Sequence, residues 1–223
     1  MHGQASALLP VPAGADHGST LSALRVGEAI DDDIAVVVTT SGTTGAPKGA
    51  LLTAAALTTS AAATHDRLGG PGRWLLALPP YHIAGVQVLV RSLLAGTVPV
   101  ELDVSTGFDA GQLPAAVTEL GSARGYTALV AAQLAKALND PAATAALAEL
   151  DAVLIGGGPA PRPVLDAAER AGVNVVRTYG MSETAGGCVY DGVPLDGVQV
   201  RTGGDGRIVI GGPMLAKGYR NPP

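Results

Sequence analysis

The apolar positions of the chain fall into short runs, and most runs are separated by segments in which apolar residues recur every three or four positions. The short apolar and β-branched runs predict strands at 34–39, 74–78, 98–102, 126–130, 152–156 and 173–178. The amphipathic or alanine-rich segments predict helices that begin near Thr53 and that cover about 83–95, 109–120, 131–150 and 162–171. Strands that alternate with helices are typical of βαβ units, so we predict an α/β fold with a parallel sheet covered on both faces.

The pattern changes after Gly186 and is different again before residue 34. Short strands at 188–190, 198–201 and 207–210 are separated by glycine-containing turns without helices, which predicts a small antiparallel β appendage near the C-terminus. Residues 1–33 are rich in proline, glycine and small polar residues, which predicts a loosely structured segment. We therefore divide the chain into an N-terminal segment (1–33), an α/β core (34–186) and an antiparallel β subdomain (187–223).

Composition narrows the classes of protein. Hydrophobic residues make up 47% of the 223 residues but aromatic residues only 3%, so the core must consist mainly of Val, Leu, Ile and Ala. The formal net charge of -5 disfavours a nucleic-acid partner, which would call for a basic surface. The best apolar run, 83–96, is shorter than the ~20 residues of a membrane span. A single cysteine, Cys188, excludes an internal disulfide and favours a cytoplasmic location.

Residues 39–49, TTSGTTGAPKG, predict a phosphate-binding loop. Glycines let successive backbone N–H groups face an anion, Ser and Thr hydroxyls can donate to phosphate oxygens, and Lys48 adds positive charge. The loop is not a Walker A motif, because Lys48 follows Pro47 and precedes Gly49. The alternative is a flexible Ser/Thr/Gly hairpin or linker without a ligand.

Two further segments carry candidate nucleotide and metal chemistry. The glycines at 156–158 end a predicted strand and would let a planar ring lie against bare backbone, although a plain strand-to-helix turn has the same pattern. Glu183 follows an apolar strand and a Tyr-Gly turn, so its carboxylate would lie at the ligand edge of the sheet, where it suits Mg²⁺. The alternative is that Glu183 only favours the start of a helix.

The third candidate site lies on the predicted helix 83–95. His82 precedes this helix, and an isolated histidine of this kind is either structural or part of a pocket. Gln87 and Arg91 are four residues apart and share one helix face. The planar guanidinium of Arg91 matches a carboxylate, whereas the alternative is an arginine that extends from the edge of the helix into solvent.

Four motifs in order resemble those of the adenylate-forming superfamily, which includes the acyl- and aryl-CoA synthetases. They are TSGTTGAPKG at 40–49, PPYHIAG at 79–85, YGMSET at 179–184 and GRIVIGGPMLAKGY at 206–219. The resemblance implies the large domain of that fold, with ATP and Mg²⁺ as cofactors and CoA as a co-substrate.

The resemblance also implies roles for individual residues. Adenine would lie between the 156–158 edge and Tyr179, Glu183 would bind the metal together with Thr43 or Thr44, and His82 would line the acyl pocket. Of the two threonines, Thr44 is the predicted metal ligand, and the predicted catalytic residues are Thr44, His82 and Glu183. The predicted nucleotide-binding residues are Thr40, Ser41, Gly42, Thr43, Thr44, Gly45, Lys48, Gly156, Gly157, Gly158, Tyr179, Gly180, Met181 and Ser182.

Within this superfamily, the helix arginine after PPYHIAG and the segment VRTYGMSETAGGCVYDGVPLDGV at 176–198 resemble the actinobacterial o-succinylbenzoate-CoA ligases of menaquinone biosynthesis. Their substrate is an aromatic dicarboxylate, of which one carboxylate is activated and the other anchored. The resemblance implies His82, Gln87 and Arg91 as substrate residues, with Arg91 as the anchor. The alternatives are another aryl- or fatty-acyl-CoA ligase and a non-catalytic nucleotide-binding module.

The superfamily continues beyond the glycine-rich hairpin with a Thr-Gly-Asp motif, a hinge and a small C-terminal domain that carries a catalytic lysine. No Thr-Gly-Asp follows Tyr219 in this sequence. We therefore expect a truncated large domain that is poorly active alone and whose partner is the C-terminal domain of its own chain. The sequence leaves a homodimer open.

Overall fold

A computed structural model of the chain describes residues 6–14, 16–40 and 47–221. The helices of the described part are α1 (Gly18–Ala23), α2 (Ala54–Arg67), α3 (Ile83–Leu94), α4 (Leu113–Leu120), α5 (Ala131–Leu138), α6 (Pro141–Ala148) and α7 (Arg162–Arg170). The strands are β1 (Ile34–Thr40), β2 (Lys48–Thr53), β3 (Arg73–Leu76), β4 (Val100–Glu101), β5 (Gly125–Val130), β6 (Ala152–Gly156), β7 (Val175–Met181), β8 (Gly186–Tyr190), β9 (Val193–Pro194), β10 (Gln199–Thr202) and β11 (Ile208–Gly211).

A seven-stranded sheet forms the centre of the molecule, with the strand order β4-β3-β5-β6-β7-β8-β9. The pairs from β4 to β7 are parallel, whereas β8 and β9 are added antiparallel at one edge. The fold is therefore a mixed α/β architecture with a mostly parallel sheet, as the alternation of strands and helices predicts.

Helices cover both faces of the sheet. Successive residues of a strand point to opposite faces, so each strand contributes side chains to the packing on both sides. Along β5, Leu129 packs into the cluster formed with α4–α7, whereas Tyr126 and Ala128 pack into the cluster on the side of α2 and α3. A smaller cluster joins Val38 and Leu52 of β1 and β2 to α3. No helix within residues 6–14, 16–40 and 47–221 is both long enough and apolar enough to cross a membrane.

Three element predictions need correction. Residues 48–53, predicted as loop, form β2, which pairs antiparallel with β1; this segment contains no Val or Ile and runs into an alanine-rich helix, so its strand character depends on pairing. The helix predicted over 131–150 is two helices, because Asp140 caps α6 and Pro141 occupies its first turn. The strand predicted at 98–102 is reduced to Val100–Glu101.

The C-terminal strands divide between two sheets. The predicted boundary at 187 falls inside β8, so β8 and β9 extend the central sheet, whereas β10 and β11 form a separate two-stranded antiparallel sheet. The antiparallel pairing after Gly186 agrees with the sequence pattern. The division of the chain into three parts stays a prediction.

The N-terminal segment is more ordered than its composition predicts. The Arg220 guanidinium donates hydrogen bonds to the carbonyls of Leu24, Arg25, Glu28 and Ala29 over 2.7–3.2 Å. Residues 18–23 form α1, and the side chain of Leu24 is buried. The expectation of loose structure was wrong for these residues, because their partner lies almost 200 residues away in the sequence, where no local pattern reveals it.

Removing this attachment is expected to destabilise the protein. Arg220→Ala removes hydrogen bonds from a charged donor to four carbonyls, and we expect a loss of about 2 kcal/mol and a melting temperature lower by about 4–8 °C. Thermal unfolding followed by circular dichroism measures this change. Arg207→Ala is the matched control, because Arg207 is exposed and contacts only Asp205 among the ion pairs of the described residues; equal melting temperatures for the two variants would contradict the assignment.

Candidate functional site

A cavity of about 830 Å³ lies at the carboxyl ends of the parallel strands β3, β5, β6 and β7. Ligands of open α/β sheets bind at this edge. Segments that are distant in sequence meet here, including the flanks of the predicted phosphate loop and the start of α3. The predicted site residues that line the cavity are Thr40, Lys48, His82, Gln87, Arg91, Gly156, Gly157, Gly180, Met181, Ser182 and Glu183.

The other predicted site residues are placed differently. Ser41, Gly42, Thr43, Thr44 and Gly45 lie outside the described residues. Gly158 and Tyr179 do not line the cavity, and the Tyr179 side chain is 44% exposed on the outer part of β7. An adenine between Tyr179 and the glycine edge would therefore lie outside the enclosed part of the site, and this role stays a prediction.

The flanks of the phosphate loop are held by the β1–β2 pair. Thr40 is paired with Lys48 at the end of the ladder, and both residues line the cavity. The ammonium of Lys48 lies 5.9 Å from the centre of the Tyr219 ring, and no ion pair of the described residues includes it. The flanks of the loop thus form an antiparallel hairpin, as in the alternative interpretation of the sequence, and they line a cavity with an available cation.

Glu183 lines the same cavity, and Tyr219 lies between it and Lys48. The Tyr219 hydroxyl donates a hydrogen bond of 2.6 Å to Glu183 Oε1. This contact with the carboxylate, together with burial, raises the pKa of Tyr219 to about 12, so the phenol stays protonated and remains a donor at neutral pH. Tyr219 was absent from the predicted site residues, and its position in the glycine-rich hairpin motif was the available signal.

The backbone around Glu183 differs from the prediction in two ways. Tyr179 and Gly180 lie within β7 rather than in a turn, and the 3-10 helix Ser182–Thr184 follows directly. Glu183 lies in the first turn of this short helix, as the alternative explanation of the residue predicts, and it also lines the cavity. Gly180 is required at its position, because a Cβ there would overlap the carbonyl of Gly186 on the paired strand.

The residues present fit a magnesium ion that takes most of its ligands from substrate phosphates and water. No group of three or more His, Cys, Asp or Glu side chains within the described ranges could hold a metal ion. Mg²⁺ commonly uses one or two carboxylates plus substrate phosphates and water. A single half-buried carboxylate, Glu183, in the same cavity as the loop flanks Thr40 and Lys48, matches that donor set.

His82 lines the cavity at the start of α3. It occupies the N-cap position without a side-chain capping hydrogen bond, and its ring lies 4.7 Å from that of Tyr81. Gly85 allows this arrangement, because a Cβ there would overlap the carbonyl of Pro79. The imidazole is exposed and lines the cavity, which leaves it available to contact an acyl group.

Arg91 lies at the inner end of the cavity and is only 3% exposed. Its Nη2 donates to the hydroxyl of Tyr190 at 3.2 Å, its guanidinium lies 4.8 Å from the centre of the Trp74 ring, and its Nε has no hydrogen-bond partner. Burial lowers the pKa of the guanidinium, and no ion pair among the described residues includes it. The alternative of an arginine extending into solvent is therefore wrong.

Gln87 is fixed on the same face of α3. Its side-chain nitrogen donates to the carbonyls of Ala185 and Leu57, so its Oε1 points the other way and has no partner. Ala185 has a left-handed backbone (φ 49°), which turns its carbonyl toward Gln87 and Ser60. A buried cation and a buried free acceptor thus line one end of the cavity, and a polar ligand could satisfy both.

Sequence reasoning missed the aromatic residues around Arg91. Trp74 and Tyr190 are fully buried and contact the guanidinium, whereas the low aromatic content had predicted a core mainly of Val, Leu, Ile and Ala. Tyr190 lies 99 positions from Arg91, so no spacing rule connects them. The only available signal for these residues was their rarity, since Trp74 is the single tryptophan of the chain.

The sequence is similar to a known family of enzymes and to particular members of it. A family model described as AMP-binding enzyme matches residues 15–220. A probable 2-succinylbenzoate–CoA ligase of Mycobacterium tuberculosis is 75% identical over 220 residues, which are 99% of this chain and 57% of the relative. A 2-succinylbenzoate–CoA ligase of a Geobacillus species is 34% identical over 171 residues, covering 67% of this chain and 34% of the relative. The chain thus spans between a third and three fifths of the length of these relatives.

Solved structures agree with the sequence comparison. An o-succinylbenzoate CoA synthetase of Bacillus subtilis in complex with the acyl-adenylate intermediate OSB-AMP has a TM-score of 0.75 and 28% identity, and the match covers 87% of this chain and 46% of that one. The same enzyme in complex with ATP and a magnesium ion matches with the same score, identity and coverage.

Proposed function

We propose, because the chain belongs to the AMP-binding enzyme family, that it forms the nucleotide- and acyl-binding part of an o-succinylbenzoate-CoA ligase. The proposed reaction uses ATP to activate one carboxylate of o-succinylbenzoate and then transfers the acyl group to CoA. Similarity to 2-succinylbenzoate–CoA ligases supports this substrate class. The chain spans 57% of the length of the mycobacterial relative, so the complete reaction is proposed for a protein of that full length.

The buried guanidinium of Arg91 is the observation that carries the proposal. A buried charge without an opposite charge is costly, and among the described residues Arg91 has only a neutral phenol and an aromatic face beside it. A ligand carboxylate at the inner end of the cavity would neutralise it through a planar pair of hydrogen bonds. A substrate with a second carboxylate, distant from the one that reacts, satisfies this requirement, whereas a fatty acid or benzoate does not.

The first half-reaction would take place between the two ends of the cavity. A carboxylate oxygen of the substrate attacks the α-phosphorus of ATP, the bond from that phosphorus to the bridging oxygen breaks, and pyrophosphate leaves. A carboxylate is already ionised at neutral pH, so no general base is needed and His82 positions the acyl group. Lys48 offsets negative charge on the phosphates, and catalysis depends on positioning and electrostatics.

A magnesium ion held by Glu183 and phosphate oxygens would supply further positive charge at the leaving pyrophosphate. Thr44, which is outside the described residues, is the proposed second protein ligand. In the second half-reaction the CoA thiol loses its proton to solvent, its sulfur bonds to the acyl carbon, and AMP leaves with the electrons of the broken C–O bond.

The proposal includes a cytoplasmic location, because a chain with one cysteine cannot form an internal disulfide and Cys188 is buried. This part of the proposal is tested by fractionation of cells that produce the protein. Recovery with membranes or in the medium would contradict it.

Formation of the CoA thioester tests the proposed function directly. A protein extended to the full length of the mycobacterial relative is assayed with ATP, Mg²⁺, CoA and one of three acids: o-succinylbenzoate, benzoate or a fatty acid. We expect o-succinylbenzoate to be used with a kcat/KM at least about 100-fold above the other two, because only it can neutralise Arg91. Preference for benzoate or a fatty acid would favour another acyl-CoA ligase, and no thioester with any acid would favour a nucleotide-binding module.

A further inference from the structure

Three hydroxyl and carbonyl groups form a directed chain of hydrogen bonds behind Arg91. The Tyr190 hydroxyl lies 3.0 Å from Thr64 Oγ1, and Thr64 Oγ1 donates to the carbonyl of Ser60 at 2.9 Å. A threonine hydroxyl has one proton, and the Ser60 carbonyl receives it. The proton between Tyr190 and Thr64 therefore belongs to Tyr190, which donates it away from the cavity.

This direction leaves only lone pairs of the Tyr190 oxygen for the guanidinium. The hydroxyl accepts the hydrogen bond from Arg91 Nη2, and it has no proton left to donate to a ligand. It can therefore fix the orientation of the guanidinium without neutralising its charge. A carboxylate in the place of Tyr190 would compete with the ligand, whereas a phenol leaves the full charge for the ligand.

The other groups that contact this cluster are also uncharged. Trp74 covers a face of the Arg91 guanidinium, and its indole N–H, which can only donate, points to Nε2 of His65 at 3.4 Å. Nε2 of His65 must then carry no proton, so the ring is neutral. Burial and the charge of Arg91 lower the pKa of His65 in the same direction. Arg91 is thus the only charged group of this buried cluster among the described residues.

We infer that Tyr190 is a positioning residue, which holds the Arg91 guanidinium in the orientation that binds the second carboxylate of the acyl substrate. This inference rests on the proposed function. Tyr190 acts on the substrate through Arg91 and does not contact the reacting atoms. Loss of its hydroxyl should therefore reduce selectivity for the dicarboxylate more than affinity for acids in general.

Tyr126 offers a matched control in the same cluster. Its ring is also fully buried and lies 5.0 Å from that of Trp74, but its hydroxyl shares its one proton between the carbonyls of Leu68 and Gly70 and it does not line the cavity. Tyr190→Phe and Tyr126→Phe each remove one hydroxyl and keep the ring that fills the core. A merely structural contribution should be similar for the two variants.

The experiment compares binding of three acids to this chain by calorimetry, at a temperature at which circular dichroism shows each variant folded. The probes are o-succinylbenzoate, 3-benzoylpropionate, which lacks the ring carboxylate, and 2-butanoylbenzoate, which lacks the chain carboxylate. We expect the unmodified chain to prefer the dicarboxylate over one of the analogues by about 10- to 100-fold. In Tyr190→Phe this preference should fall at least about fivefold, and in Tyr126→Phe it should change less than twofold.

The outcomes separate the inference from the proposed function. A preference that is present in the unmodified chain and unchanged in Tyr190→Phe would overturn the positioning role alone. Equal losses in the two variants would also overturn it, because they would indicate a general effect on the core. No preference in the unmodified chain would contradict the proposed function itself, together with the role of Tyr190.

Discussion

Replacing Arg91 by methionine is expected to abolish selective use of o-succinylbenzoate while leaving the protein at least as stable as before. Arg91 is buried, has no acidic partner among the described residues and lacks a hydrogen bond at Nε. Methionine has a similar length and no charge. The contact between Arg91 and the substrate carboxylate is worth about 3 kcal/mol. Its loss should therefore lower the affinity for o-succinylbenzoate about 100-fold.

The expected gain in stability comes from the cost of burying the unpaired charge. Replacing buried charged groups by apolar residues of similar volume is often neutral or stabilising, and a gain of about 1 kcal/mol raises the melting temperature of a chain of this size by about 2–4 °C. The proton of Tyr190 already goes to Thr64, so the tyrosine hydroxyl keeps a partner in the variant.

Calorimetric titration with o-succinylbenzoate and thermal unfolding measure the two effects in the same samples. Arg162→Met is the matched control, because Arg162 is an exposed arginine of α7 that pairs only with Asp166 among the ion pairs of the described residues. Unchanged binding in Arg91→Met would refute the anchoring role. A melting temperature lowered by several degrees would show instead that Arg91 is mainly a structural residue.

Replacing Glu183 by glutamine is expected to slow formation of the acyl adenylate by about 100- to 1,000-fold, the range found when one preorganised electrostatic contact of a transition state is removed. The amide keeps an oxygen that can accept the hydrogen bond from Tyr219, so the local packing should persist. What is lost is the negative charge that would hold Mg²⁺ beside the leaving pyrophosphate.

The assay is exchange of pyrophosphate into ATP, driven by o-succinylbenzoate, in a protein of the full length of the mycobacterial relative. Binding of ATP to this chain with and without Mg²⁺ gives a second readout, because the variant should lose the increase in affinity that Mg²⁺ provides. Glu169→Gln, an exposed residue of α7, controls for the change in net charge. An exchange rate within a few-fold of the unmodified enzyme would rule out Glu183 as the metal-side residue.

Local patterns in the sequence predicted most of the parallel sheet, because its strands are short apolar runs and their helices are amphipathic. Strand β6 was predicted with its observed ends, at 152 and 156, since glycines mark one end and an acid marks the other. The errors occur where distant residues decide the structure. Strand β2 forms because β1 pairs with it, and the N-terminal segment is ordered because Arg220 binds its carbonyls.

The candidate site could be predicted only in part, because local motifs identify its residues but not their distant partners. Motif residues such as Lys48, Glu183 and Arg91 were named from sequence, and the structure brings them to one cavity. Their contacts could not be predicted, although the hairpin motif contains Tyr219, because Tyr190 and Tyr219 reach Arg91 and Glu183 only through the folding of β8 and of the C-terminal loop. The burial of Arg91 could also not be predicted from the sequence, since an arginine on a helix is more often exposed.

We propose that the inner end of the cavity is an anion site for the second carboxylate of an aromatic dicarboxylate. Calorimetric titration of this chain with o-succinylbenzoate and its two monocarboxylate analogues tests it most directly. The dicarboxylate is expected to bind about 10- to 100-fold more tightly than the analogue that leaves Arg91 without a partner. Equal dissociation constants for all three acids would contradict it.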